Sequence, residues 1–189
     1  MQLLEERIRK DGRIFPGDVL KVDSFLNHQM DVDFLCEIGK EFYRLFAKDE
    51  VNKILTIEAS GIGVACLAAQ YFHCPVVFAK KSKSTNLGDE VFTAPVSSYT
   101  HGKVYTAMIS KNYLHNTDRL LIIDDFLARG NALQALLSMA RDAGATVVGA
   151  GVVIEKTYQD GGNLIRNQGV RVESLAKIQA MDEHGVTFA

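Results

Sequence analysis

Tryptophan is missing from the 189 residues, and proline occurs only three times, at Pro16, Pro75 and Pro95. No Pro-rich linker, low-complexity tract or internal repeat is visible. Cysteine is equally sparse. Cys36, Cys66 and Cys74 form no CxxC pair and leave an odd count, which argues against a disulfide scaffold or a thiolate zinc site. Basic residues are not in excess, since 21 Lys and Arg against 23 Asp and Glu give a formal charge of −2 and a pI near 6.2. That balance argues against general nucleic-acid binding, which needs cations to displace counterions from a polyphosphate backbone. A small anion needs only a local cluster of donors. No stretch approaches the roughly 20 apolar residues that span a bilayer. The opening MQLLEERIRKDGRIF breaks its apolar residues with charges, unlike a signal peptide. The expectation is a cytoplasmic chain with no membrane partner. GxSxG is absent, and His28, His73, His101, His115 and His184 show no metal spacing, so neither a Ser–His–Asp triad nor a histidine metal site is expected.

What remains is the balance of a folded domain: 47% hydrophobic and 23% charged residues, in a length that suits one core rather than two. Residues 3–10 read as a short amphipathic helix and 13–28 as extended and irregular chain. Apolar spacing at Phe34, Leu35, Ile38, Phe42 and Leu45 predicts a helix between Asp31 and Ala47. Strands are then predicted at 53–58, 75–79, 120–124 and 146–154, with helices at about 64–72 and 132–143. Continuous apolar strands joined by helices predict an α/β domain, with a parallel sheet covered on both faces. Right-handed crossovers place the loops after the strands on one edge, where such sheets bind ligands. The stretch Lys80–Leu114 interrupts this order. Residues 91–96 and 104–109 alternate like a hairpin, and the pattern fits a lid or an ordinary solvated hairpin equally well.

Three segments carry chemistry. In LLIIDDFLARGNAL (Leu120–Leu133), the apolar strand is expected to push Asp124 and Asp125 out at its carboxyl end, as acceptors suited to vicinal hydroxyls or hydrated Mg²⁺. The turn Ala128-Arg129-Gly130-Asn131-Ala132 lacks bulk, so its N–H groups can form an anion nest at a helix start. A diol binder beside a phosphate cradle describes a ribose 5-phosphate. The same residues also suit an ordinary acidic strand-to-helix turn. Glu58-Ala59-Ser60-Gly61-Ile62-Gly63 is a second small-residue loop ahead of a helix. Lys80-Lys81-Ser82-Lys83-Ser84 follows a strand directly and also reads as a solvated charge run.

The segment from Leu121 to Ala128, with Gly130, resembles the phosphoribosyl pyrophosphate (PRPP) signature of the type I purine phosphoribosyltransferase family. It departs from that signature at Arg129, Asn131 and Ala132, where Thr, Gly and Thr are usual, and so lacks two hydroxyl donors. This variant is similar to the xanthine-using branch, and the resemblance runs along most of the chain. It implies the type I phosphoribosyltransferase fold: one domain over 1–189, with a parallel-sheet core at about 31–155, a flexible loop, and a small hood from about 11–30 and 156–189. It implies that Asp124 and Asp125 hold the ribose hydroxyls and that Ala128, Arg129, Gly130, Asn131 and Ala132 hold the 5-phosphate. Ala59, Ser60 and Gly61, in a loop where a strained or cis peptide is typical, would receive pyrophosphate, with Lys80 and Lys81 closing over it. Leu20, Asn27 and Lys156 would take the base. The implied co-substrates are PRPP and xanthine, with Mg²⁺ carried mainly by substrate and water, in a cytoplasmic homodimer. Guanine/hypoxanthine or adenine transferases, and a non-catalytic PRPP-binding transcriptional regulator, are the alternatives. A regulator would need a DNA-binding segment, and no basic winged helix is legible before residue 40.

Overall fold

The computed structural model describes residues 1–81, 90–97 and 104–189. Ser82, Lys83, Ser84 and His101 lie outside them. Helix α1 (Gln2–Asp11) leads into a small hairpin, β1 (Arg13–Phe15) and β2 (Val19–Lys21), and then a π-helical turn, Asp23–Asn27. The stretch that reads as irregular is therefore ordered. It closes on the main body because Phe25 and Leu26 are fully buried, and Phe25 meets Phe34 edge-on at 5.6 Å. Arg7 lies over both rings and pairs with Asp31 at 2.9 Å, which ties α1, the π-turn and the next helix together.

Helix α2 (Val32–Phe46) begins where Asp31 accepts the Phe34 N–H at 3.2 Å, an N-cap that satisfies one of the helix's orphan donors. Its apolar stripe of Phe34, Leu35, Ile38, Phe42 and Phe46 is buried. The α/β alternation follows: β3 (Lys53–Ile57), α3 (Ser60–Phe72), β4 (Val76–Ala79), β5 (Val91–Ser97), β6 (Val104–Ser110), β7 (Arg119–Leu127), α4 (Asn131–Asp142), β8 (Thr146–Lys156), α5 (Gly161–Arg166), β9 (Val172–Asp182) and β10 (Gly185–Phe188). The main sheet has the order β10-β9-β8-β7-β3-β4, parallel except for β10. Two cores flank it. One gathers α1, the hood segment before α2 (β1, β2 and the π-turn), α2 and α3 with Leu121 and Ile123. The other gathers α4 and the β5–β6 hairpin with Leu120 and Ile122.

Two local readings are corrected. Strand β7 does not end at Asp124. It stays in register with β8 through Phe126↔Ile154 and Leu127↔Glu155, so the acid pair sits inside the ladder and is buried. Helix α3 starts at Ser60, not near Val64, because Ser60, Gly61, Ile62 and Gly63 form its first turn. The expected hairpin is β5–β6, paired from Val91↔Ser110 to Ser97↔Val104, and Ala94, Val96, Ala107 and Ile109 bury one of its faces in the second core. Strand β9, within the stretch 156–189 that the resemblance assigns to the hood, is a parallel neighbour of β8 in the main sheet.

Candidate active site

Strands β3 and β7 pair only over Lys53↔Leu120, Ile54↔Leu121 and Leu55↔Ile122. Beyond that they part, and β3 passes through a cis Glu58–Ala59 peptide into α3. The mouth opened between them is where the acids lie. Strand alternation sends Asp125 to the face of Leu121 and Ile123, the hood side. There its Oδ2 accepts the Asn27 Nδ2–H at 3.0 Å, a contact between residues 98 apart in sequence. Its Oδ1 accepts the Phe126 N–H at 3.1 Å.

Asp124 takes the Asp125 N–H on Oδ1 at 3.0 Å. Burial raises its carboxyl well above the usual carboxylate range, and the neighbouring Asp125 charge adds to the rise, against a smaller opposing pull from Lys81. Two adjacent acids out of water strongly favour holding a proton, or binding a ligand that donates hydrogen bonds or brings positive charge. Close packing reinforces the position. A methyl group on Gly61 would fall 2.3 Å from Thr56 Oγ1 and 3.2 Å from Asp124 Oδ1, so only glycine lets the start of α3 approach the acid pair.

The anion turn follows directly. Gly130 adopts φ 78°, a left-handed conformation that glycine takes without strain, and it immediately precedes Asn131, the first residue of α4. The structure gives Asn131 a definite use: its side-chain amide donates to the Ser97 carbonyl at 3.0 Å, which fastens the β5 end of the hairpin to the turn. A polar residue at this position is thus given a use by a hydrogen bond to the hairpin. Arg129 and Ala132 stand on either side, Ala132 partly buried against the second core.

Of the two lysines, Lys80 pairs through its backbone with Met108 and lines a cleft of about 550 Å³ along β4 that Asp124 and Asp125 do not line. Lys81 turns toward the mouth. Its N–H donates to Glu58 Oε1 at 2.5 Å, and its ammonium lies 5.2 Å above the Tyr105 ring. Tyr105 itself feels Asp124 and Glu58: burial first, then these two charges, raise its hydroxyl pKa. Glu58 heads the second loop singled out in the sequence, but Thr56 and Tyr105 are not legible there as site residues. Their only local signals are a lone threonine in the apolar run KILTI and an aromatic in an alternating hairpin.

Leu20, Asn27 and Ser60 line one cleft of about 520 Å³ under the hood, together with Val22, Asp23 and His28. Lys156, at the end of β8, is buried and donates from Nζ to the Asp18 carbonyl in the hood turn. Burial lowers its pKa and the Asp18 charge partly restores it. Of the three residues expected to take the base, Leu20 and Asn27 thus share one cleft, and Lys156 is not among the residues that line it. Among the described residues, no cluster of three or more His, Cys, Asp or Glu side chains is placed to hold a metal ion. None of their helices is long and apolar enough to cross a membrane.

A parallel sheet with a buried acid pair beside parting strands and a glycine turn at the next helix start is the architecture expected of a type I phosphoribosyltransferase. The chain belongs to the phosphoribosyltransferase family: the phosphoribosyl transferase domain matches residues 25–170. It is 58% identical over 182 residues to a xanthine phosphoribosyltransferase of Lachnoclostridium phytofermentans, covering 96% of this chain and 94% of that one. It is 54% identical over 188 residues to the protein of the same name from Ruminiclostridium cellulolyticum, covering 100% and 99%. Among solved structures, adenine phosphoribosyltransferase from Trypanosoma brucei superposes with a TM-score of 0.80 at 16% identity, covering 96% of this chain and 82% of that one. The Rhodothermus marinus adenine enzyme does so at 0.73 and 21%, covering 94% and 100%. At those identities the likeness concerns the fold alone, and it agrees with the expected type I phosphoribosyltransferase architecture.

Proposed function

We propose that this chain joins xanthine to the ribose 5-phosphate of PRPP, giving xanthosine 5′-monophosphate and pyrophosphate in purine salvage. The observation that carries the reading is the donor set at the hood. The Asn27 amide keeps one N–H beside the one it gives Asp125, and the Lys156 ammonium keeps two beside the one it gives Asp18. Xanthine presents carbonyl acceptors at C2 and C6, whereas guanine has an amino group at C2 and adenine one at C6. The high identity to xanthine phosphoribosyltransferases along nearly the whole chain supports the same base.

In the reaction a base nitrogen attacks the anomeric carbon as the bond to pyrophosphate breaks, and positive charge develops on the ribose. Positioning and charge stabilisation do most of the work. Asp124 and Asp125 accept the ribose hydroxyls and offset the developing cation. The backbone around Gly130 holds the 5-phosphate, assisted by Arg129 and the start of α4. Ala59, Ser60 and Gly61 offer N–H groups to pyrophosphate, and Lys81, with Lys80 behind it, brings cationic charge as water is excluded. Lys156 favours the xanthine anion. The buried, charge-hungry acid pair suits an Mg²⁺ that would arrive with the substrate. When bound, that ion neutralises the pyrophosphate oxygens. A homodimer in the cytoplasm completes the reading.

Replacing Lys156 with Ala tests the base assignment. The xanthine KM is expected to rise by about tenfold or more while the PRPP KM changes little, since a hydrogen bond to a charged group is worth ~1.5–3 kcal/mol. A larger rise in the PRPP KM than in the xanthine KM would remove Lys156 from the base pocket.

A further inference from the structure

Helix α5 is only six residues long and begins with two glycines, yet its first residue forms the back wall of the anion turn. The Gly161 N–H donates to the Ala128 carbonyl at 3.1 Å. A methyl group at Gly161 would lie 2.3 Å from that carbonyl oxygen and 2.5 Å from Gly130 N. No side chain fits between the two backbones, so the position of α5 sets the position of residues 128–130.

What fixes α5 is a carboxylate. Glu155, the residue before Lys156, is 1% exposed. Arg166, at the last position of α5, grips it with both terminal nitrogens, Nη1 to Oε1 at 2.6 Å and Nη2 to Oε2 at 2.7 Å. The Ser174 hydroxyl of β9 donates to Oε2 as well. Gly162 leaves room for this fork, since a methyl there would collide with Glu155 Oε1. Bidentate arginine–carboxylate pairs fix geometry as well as energy. Strand β8 thus ends in two adjacent residues with separate tasks: Lys156 reaches the hood, and Glu155 anchors the helix behind the anion turn.

We infer that Glu155 is a positioning residue for the 5-phosphate turn, acting through Arg166 and the start of α5. The inference rests on the reading of residues 128–132 as the 5-phosphate site. Loss of the anchor would let α5 drift from Ala128 and Gly130, loosening the phosphate cradle while leaving the Leu20–Asn27 cleft in place.

Steady-state kinetics on the full chain with Mg²⁺, varying PRPP and xanthine in turn, tests it. Glu155→Gln is expected to raise the PRPP KM by about tenfold with the xanthine KM within about twofold, since a displacement of ~1 Å far from the chemistry can cost ~100-fold. Gly161→Ala, which disturbs the same contact without touching the ion pair, is expected to shift the same constant. An unchanged PRPP KM in Glu155→Gln, or a parallel rise of both constants, would overturn the inference and reduce the pair to a fold element. Should Glu155→Gln not yield folded protein, Arg166→Lys keeps the cation but loses the fork, and its PRPP KM decides in the same way. A wild-type chain that forms no nucleotide from PRPP and xanthine would instead refute the underlying reading.

Discussion

Asp125→Asn is expected to lower kcat/KM for PRPP and xanthine by roughly 100-fold or more. Its carboxylate is poised as an acceptor: Oδ2 already takes the Asn27 amide at 3.0 Å and Oδ1 the Phe126 N–H at 3.1 Å. Hydrogen bonds to a charged group are worth ~1.5–3 kcal/mol each, and two ribose hydroxyls would engage the acid pair as charge builds on the sugar. An asparagine there has one acceptor fewer and carries no negative charge to set against the ribosyl cation. Its NH₂ would also face the Asn27 amide, donor against donor. The loss is therefore expected in kcat as well as in KM, and initial rates of pyrophosphate release measure both. A loss confined to the xanthine KM would assign Asp125 to the base instead.

Asp124→Asn is expected to behave differently, losing activity on a similar scale while making the ligand-free protein more stable. Burial, and then the charge of Asp125, raise the Asp124 pKa above its ordinary value. The folded protein therefore holds this proton more tightly than the unfolded chain does. At acid pH, below the ordinary carboxylate range, both states are protonated and the residue costs the fold nothing. As pH rises through that range the unfolded chain ionises first, and stability is lost progressively until the folded carboxyl ionises too. Asparagine abolishes that loss. Its carboxamide keeps an oxygen for the Asp125 N–H and turns a donor toward the Asp125 carboxylate. The variant's Tm is expected to exceed that of wild type by about 2–4 °C at neutral pH, the shift that ~1 kcal/mol produces in a domain of this size. The gap should narrow toward pH 4. A variant no more stable than wild type at any pH would mean that the acid pair is not strained by its own charge.

How much of this was readable from residues alone depends on distance along the chain. Buried parallel strands are continuous apolar runs, so LLII and the stretch VVGAGVVI announce themselves, as does the stripe Phe34–Ile38–Phe42 of α2. The extension of β7 past Asp124 is not legible, because a charge inside a ladder looks the same as a charge after one. Register with β8 alone distinguishes them. The first turn of α3 hides for the opposite reason: Ser60, Gly61 and Gly63 read as loop until Thr56 and Asp124 are seen packed against Gly61. Strand β9 buries an uneven set of residues and gives no clean alternation.

The site divides in the same manner. The acid pair and the glycine turn share one local segment and are visible as such. Asn27 with Asp125, Lys81 with Tyr105, and Asn131 with Ser97 are tertiary pairings without a local pattern. The usefulness of Asn131 emerges only once the β5–β6 hairpin is seen fastened to the turn.

The most direct test is the initial rate of pyrophosphate release from PRPP and Mg²⁺ with xanthine, guanine, hypoxanthine, adenine and orotate supplied in turn. The donor set of Asn27 and Lys156 predicts the highest kcat/KM with xanthine and formation of xanthosine 5′-monophosphate. Turnover with adenine or orotate alone, or with none of the five bases, would contradict it.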